Sequence, residues 1–377
     1  MNECKMPGQL IENLLKERGW TQKTLSTVLE RGKGSITKII AGKQAIDAKT
    51  ALLLEEVFGV PAERFLELQR NYDLAIARFS ARPDPARSKR AHLYAGLPIP
   101  TMVKRGWLSA NDPHNVAEVE NALMQFFEAS SLEEIEILPH AAKKTAINTD
   151  ATPAQLAWLY RVKAIAQELV LPRYSPESLR AALPQLKQFM CAPEEARNVP
   201  RLLAERGVRF VIVESLPGTK IDGVCFWLKN NSPVIGMALR HDRIDNFWFV
   251  LRHEIEHVLQ EHGKQAMILD VELEGKRAGT GLDVPEEERM ANEAAANFCV
   301  PQAKLQAFIA GKEPLVSERD LLGFSKILGV HPGIMAGQLQ HKTGRYDRFR
   351  QYLEKIRSCI SPNAATDGWG DIYPLGQ

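Results

Sequence analysis

Residues 253–257 read His-Glu-Ile-Glu-His, set inside a stretch of large apolar side chains. On a helix, His253 and His257 stand one turn apart and face the same way. Phe247, Trp248, Phe249, Val250 and Leu251 before them, and Val258 and Leu259 after them, require this helix to be largely buried. Polar and charged groups inside a protein are costly unless they are paired or bind a metal. The chain must therefore supply both a cover for this helix and a second element to complete a site. Two imidazoles at this spacing can bind one Zn²⁺, and Glu254 then lies beside the metal's open position. There a carboxylate can take a proton from a water held by the metal and pass it to a leaving amine. The zinc would lower that water's pKa to about 7.

A third protein ligand leaves one position open for water. The helix expected after Pro285 offers Glu288, on one stripe with Ala291, Asn292, Ala295 and Cys299. The small residues on that stripe would let the two helices approach closely. Glu293 is five residues on and points elsewhere. Glu286 and Glu287 fall in the first turn, where acids favour the helix dipole. A purely structural zinc site is more commonly closed by four ligands, often cysteines. The five cysteines here are scattered, and Cys299 lies three turns from Glu288, too far to be a fourth ligand.

The rest of the chain frames this site. At 377 residues it is long enough for two or three domains. Its 45% apolar and 25% charged residues exclude a wholly disordered chain. No apolar run reaches the ~18–20 residues of a membrane span. The first twenty residues lack a signal-peptide pattern, and the odd, unpaired cysteines suit reduced thiols, so a cytoplasmic protein is expected. Residues 1–77 read as a bundle of short helices, 78–92 as an exposed linker and 93–200 as a helical middle segment. From 207 the pattern changes. Val208–Val213 reads as a strand, and Gly223–Leu228 with Val234–Leu239 reads as a hairpin across KNNSP. Helical periodicity returns at 245–262 and 286–299, so residues 201–315 form the expected metal domain. Residues 316–360 give two short helices around Gly329-Val330, and 361–377 reads as a disordered tail.

The segments DGVCFWLKNNSPVIGMAL, RHEIEHVL and ERMANEAAANFCVP resemble the ImmA/IrrE family of zinc metallopeptidases over about 200–312. The resemblance implies a zincin-like domain with His253, His257 and Glu288 as zinc ligands and Glu254 as catalytic base. Met290 and Ala294 depart from it, standing where members often have Glu and Phe. Residues 7–73, with PGQLIENLLKERGWTQKTL, ITKIIAGK and ALLLEEVFGVPAERFLELQ, resemble the HigA-like branch of Cro/repressor helix-turn-helix domains. In that fold the helix at about 33–41 enters the major groove. The net charge of +2 carries no argument for nucleic acid, but the local charge does. Between 16 and 49, eight Lys and Arg residues face three acids, an excess of +5 that can contact phosphates. Arg31, Lys33, Ser35, Thr37, Lys38 and Lys43 are the expected DNA-contacting residues. Glu30-Arg31-Gly32 occupies the turn where that family usually has Gly, an apolar residue and Ser. The stretches LPIPTMVKRGWL and FSKILGVHPGIMAGQLQH resemble longer proteins that join the two domains.

The expected fold is therefore α+β: an all-α N-terminal helix-turn-helix domain and helical middle segment, then a small sheet packed on the His-Glu-x-x-His helix. Two functions from different classes fit. One is a DNA-binding transcriptional regulator fused to a zinc-dependent endopeptidase that cleaves a repressor or antitoxin, or itself. The other is a non-proteolytic HigA-like antitoxin or repressor whose peptidase-like domain senses a ligand or binds a toxin. Both imply double-stranded operator DNA and a homodimer as partners, and zinc as cofactor.

Overall fold

The computed structural model describes residues 6–81, 87, 91, 96–131, 135, 151–229, 231–264, 268–271, 285–312 and 314–375. The chain divides into two compact units, residues 1–85 and 86–377.

Among its described residues the first unit has five helices: α1 (Pro7–Glu17), α2 (Gln22–Val28), α3 (Lys33–Ile40), α4 (Ala48–Phe58) and α5 (Ala62–Ser80). Local capping sets their starts. Thr21 Oγ1 accepts from Thr24 N at 3.1 Å to open α2, and Asp47 Oδ1 accepts from Thr50 N at 2.7 Å to open α4. Ile11, Leu25, Ile36, Leu54 and Phe65 form the centre of the core. The turn between α2 and α3 holds Glu30 in left-handed backbone, φ 51°. The corner between α2 and α3 thus closes with a non-glycine residue in left-handed backbone, at a local cost of about 1–2 kcal/mol. Helix α5 runs to Ser80, past the expected boundary at 77. Most of the expected linker at 78–92 lies outside the described residues.

Among its described residues the second unit carries α6 (Ile99–Lys104), α7 (Val116–Phe126), α8 (Pro153–Glu168), α9 (Pro176–Phe189) and α10 (Val199–Ala204) ahead of its sheet. Strands β1 (Arg209–Val213), β2 (Ile221–Leu228) and β3 (Ser232–Met237) then lead into α11 (Ile244–Leu259). After β4 (Ile268–Val271) come α12 (Glu286–Cys299), α13 (Gln302–Ala310), α14 (Glu318–Leu328), α15 (Pro332–Thr343), α16 (Arg357–Ile360) and β5 (Ala365–Asp367). The sheet is mixed, in the order β4-β2-β3-β1-β5. β2 pairs antiparallel with β3 and β4, whereas β1 pairs parallel with β3 and β5.

Both faces of this sheet are covered, which is why its strands read as nearly unbroken apolar runs. Val211, Val213, Val224, Phe226 and Val234 face one cluster, with Trp158 and Val162 of α8. Phe210, Ile212, Cys225, Ile235 and Met237 face the other, with Trp248, Leu251 and Ile255 of α11. The segment at 93–200 is therefore not a separate body. Its helix α8 is one outer layer of a helix–sheet–helix sandwich, and α11 belongs to the other.

Residues 361–375 correct the expectation of a disordered tail over 361–377, whose last two residues lie outside the described residues. Ala365–Asp367 is an edge strand in register with Val211–Val213. Asp367 is fully buried and ion-paired with Arg161 of α8. It also accepts from Trp107 Nε1 at 2.7 Å and from Tyr373 N at 3.1 Å. The segment is polar because its anchor is a buried, fully hydrogen-bonded charge rather than an apolar side chain.

Candidate functional site

Helix α11 lies under the sheet, and both imidazoles on its inner stripe are inaccessible to solvent. His253 Nε2 and His257 Nε2 are 3.0 Å apart. Helix α12 packs on α11 through Ala291, Ala295 and Cys299, all fully buried. The absence of bulk at the two alanines brings Glu288 onto the histidines. Its Oε2 is 3.3 Å from His253 Nε2 and its Oε1 is 3.5 Å from His257 Nε2. The far end of α12 is fixed by Lys187 of α9, whose ammonium donates to the carbonyls of Phe298 and, at 3.0 Å, Cys299. Burial pushes the Lys187 pKa down. These bonds supply donors to carbonyls that a helix end leaves unsatisfied.

Among the described residues, His253, His257 and Glu288 form a group that can hold a metal ion. A tetrahedral zinc with bonds of ~2.0–2.1 Å sets its ligand atoms roughly 3.3–3.4 Å apart. The three separations here, 3.0, 3.3 and 3.5 Å, fit that size, and two nitrogens with one carboxylate is a donor set zinc accepts. The outer side of each ring is also engaged. His253 Nδ1 is 3.1 Å from Asn292 Oδ1, and His257 Nδ1 is 3.0 Å from His262 Nδ1. Contacts of this kind orient the imidazoles of metal sites.

Glu254 is fully buried, and its carboxylate lies against Gly223 of β2. A Cβ at Gly223 would come within 2.0 Å of Glu254 Oε1, so the strand leaves room for this side chain only because the residue is glycine. Glu256, the other acid of the motif, is occupied elsewhere. It pairs with Arg252 at 2.6 Å and accepts from Gln260 Nε2 at 2.7 Å. Burial alone would raise its carboxyl, but these hydrogen bonds outweigh burial and hold it below the ordinary glutamate range. Glu286, Glu287 and Glu293 are exposed, and Glu286 pairs with Arg289. Asn292 was visible in the sequence as part of the Glu288 stripe. His262 and Gly223 carried no such signal: one lies past the helix end and the other inside an apolar strand.

In the first unit, α3 buries Ile36, Ile39 and Ile40 and exposes Lys33, Thr37 and Lys38. Lys43 is exposed, and Arg31 and Ser35 are half-buried. Two hydroxyls expected at DNA are held by glutamines that the sequence reading did not single out. Thr37 Oγ1 donates to Gln22 Oε1 at 3.0 Å, and Ser35 Oγ donates to Gln44 Oε1 at 3.3 Å. Glutamine side chains therefore flank α3 on both sides.

Residues 11–65 match a family model described as helix-turn-helix. A solved structure of an addiction module antidote protein of a HigA family from Coxiella burnetii is similar at 29% sequence identity. That match covers 21% of this chain and 95% of that chain, with a TM-score of 0.18. No curated protein matches the chain. The N-terminal unit is a helix-turn-helix domain, the module that DNA-binding regulators use to place a helix in the major groove. No helix among the described residues is long and apolar enough to cross a membrane.

Proposed function

We propose that the chain is a cytoplasmic DNA-binding regulator whose second unit is a zinc-dependent endopeptidase of the ImmA/IrrE type. Its substrate would be a repressor- or antitoxin-type protein, or the chain itself, and cleavage would relieve repression. The observation that carries this reading is the meeting of His253, His257 and Glu288 from two helices, with Glu254, the residue after His253, buried against Gly223. Zinc bound by those three side chains would supply a Lewis acid for a peptide carbonyl and make a water nucleophilic near neutral pH. Glu254 takes the proton at its carboxylate and delivers it to the departing amine. The apolar walls from Trp248, Leu251 and Ile255 keep bulk water from the rest of the helix. The first unit holds operator DNA through α3, with Lys33, Lys38, Lys43 and Arg31 on phosphates, and two copies read two half-sites about 34–36 Å apart.

Glu254→Gln tests the reading. It keeps size and removes the basic carboxylate, so zinc content and DNA affinity should hold while target cleavage falls about 10²–10⁴-fold. Unchanged repression and unchanged release from repression in cells carrying this variant would instead indicate a domain that senses a ligand or binds a toxin without cutting.

A further inference from the structure

The turn that ends α11 is fastened to β2 more firmly than a helix terminus requires. Glu261 adopts left-handed backbone (φ 59°), and His262 N returns to His257 O at 2.9 Å. His262 O accepts from Trp227 Nε1 at 2.8 Å, and Cys225 Sγ lies 3.8 Å from the same oxygen. Gly263 follows at φ 78°, where any Cβ would come within 2.7 Å of Cys225 O. Helix α11 thus fixes the backbone of His262 on its N-terminal side and strand β2 on its C-terminal side, and the imidazole so placed has its Nδ1 3.0 Å from Nδ1 of His257.

Two ring nitrogens at that distance share one proton, and its owner decides what His257 can do. If His262 donates, His257 Nδ1 is an acceptor, its own proton sits on Nε2, and Nε2 has no lone pair for a cation. If His257 donates, its Nε2 keeps a lone pair that can bind a cation, and His262 carries its proton on its own Nε2. The second arrangement is the one compatible with His253 Nε2 and Glu288 converging on the same point. We infer that His262 is a positioning residue, which accepts the Nδ1 proton of His257 and so holds that ring in its metal-binding tautomer and orientation. This inference rests on the zinc reading above. It makes β2 the common support of the site, because the same strand receives Glu254 at Gly223 and anchors His262 through Trp227 and Cys225.

Zinc affinity of the full chain, measured by competition with a chelator, tests this without any substrate. His262→Ala removes the acceptor and should weaken zinc binding about 10–100-fold, the usual effect of losing such a partner. His262→Asn restores an acceptor at the same position along the side chain and should recover most of that affinity. A purely structural role would instead lower the melting temperature of the zinc-free protein in both variants alike. A second arm uses the unaltered, zinc-loaded protein with ¹⁵N-labelled histidine, so it stands even if a variant fails to fold. It should show the His257 proton on Nδ1, with a coupling through the hydrogen bond to His262 Nδ1. Equal zinc affinity for wild type and His262→Ala, or no such coupling, overturns the role of His262 alone. A wild-type protein that takes up no zinc overturns the metal reading, and this inference falls with it.

Discussion

Replacing Gly223 by alanine tests whether strand β2 and Glu254 are built to one another. The new methyl group would stand 2.0 Å from Glu254 Oε1 and 2.8 Å from its carboxyl carbon, whereas real Cβ contacts essentially never fall below 3.0 Å. The fully buried carboxylate must therefore retreat by at least about 1 Å, or the strand must shift. Forcing an extra methyl into a packed interior costs about 1–3 kcal/mol. At roughly 2–4 °C per kcal/mol for a domain of this size, the melting temperature should drop measurably. The strain has one source, so removing that source should remove it. On a Glu254→Ala background the same substitution should be neutral or stabilising by about 0.5–1 kcal/mol, since alanine orders a strand at less entropic cost than glycine. The assay is a double-mutant cycle by urea denaturation of zinc-free protein, in which a coupling of about 1–3 kcal/mol is expected. Zinc stoichiometry should survive in Gly223→Ala, because the three atoms nearest the new methyl all belong to Glu254. Any peptidase turnover should fall about 100-fold, the effect of a 1 Å misplacement. Additivity of the two single variants within about 0.5 kcal/mol would refute the steric argument.

Four further outcomes follow from the geometry. His257→Ala should abolish stoichiometric zinc and, with it, the roughly 2.7 kcal/mol of stabilisation that zinc gives at a hundred times its Kd, read as loss of a chelator-sensitive melting shift. Lys33→Ala and Lys38→Ala should each weaken DNA binding across sequences and lower the salt slope by about one, while a fragment lacking residues 1–85 that binds as before would place DNA elsewhere. Asp367→Ala leaves the Arg161 guanidinium buried without its counter-ion and should cost about 3–5 kcal/mol by urea denaturation, and a cost under about 1 kcal/mol would show that the pair is not an anchor. Burial pushes the Tyr174 phenol up to about 12, so the fold favours its neutral form. The stability it holds is complete below pH 10 and is lost as pH rises from 10 to 12, by up to about 3 kcal/mol, and Tyr174→Phe should flatten that loss in alkaline denaturation curves.

Much of the second unit was legible because its signals are local. Val208–Val213 and the two arms around KNNSP are two-sided apolar runs, and they are β1, β2 and β3 within one to three residues. Pro285 and Pro301 bracket α12, and helical phase alone puts Glu288 on the stripe of Ala291 and Ala295 that faces α11. The first unit was readable for the same reason, since its corners fall at Gly19, Gly42 and Gly59. What escaped depends on partners far away in sequence. Ala365–Asp367 is three residues of unpromising composition, and it is a strand because Val211–Val213 offers a free edge and Arg161 a buried charge. β4 is four residues long and, among the described residues, pairs only with β2. His262 sits beyond the last turn of α11, where helical phase no longer says which way a side chain points. Gly223 looked like any strand residue until Glu254 was seen to occupy the space its side chain would need.

The parallel pairing of β1 with β5 also has a consequence for how the chain matures. A strand near residue 211 must wait for one near 365, and such distant parallel contacts form slowly because a long loop has to close first. The first unit has a hydrophobic core built from its own residues. During synthesis, domains fold from the N-terminus onward. The helix-turn-helix unit can therefore be folded and competent for DNA while the sheet of the second unit still has an open edge and Arg161 still lacks Asp367. By this order of synthesis the module for DNA precedes the sandwich that shelters the two histidines, whose last strand is Ala365–Asp367.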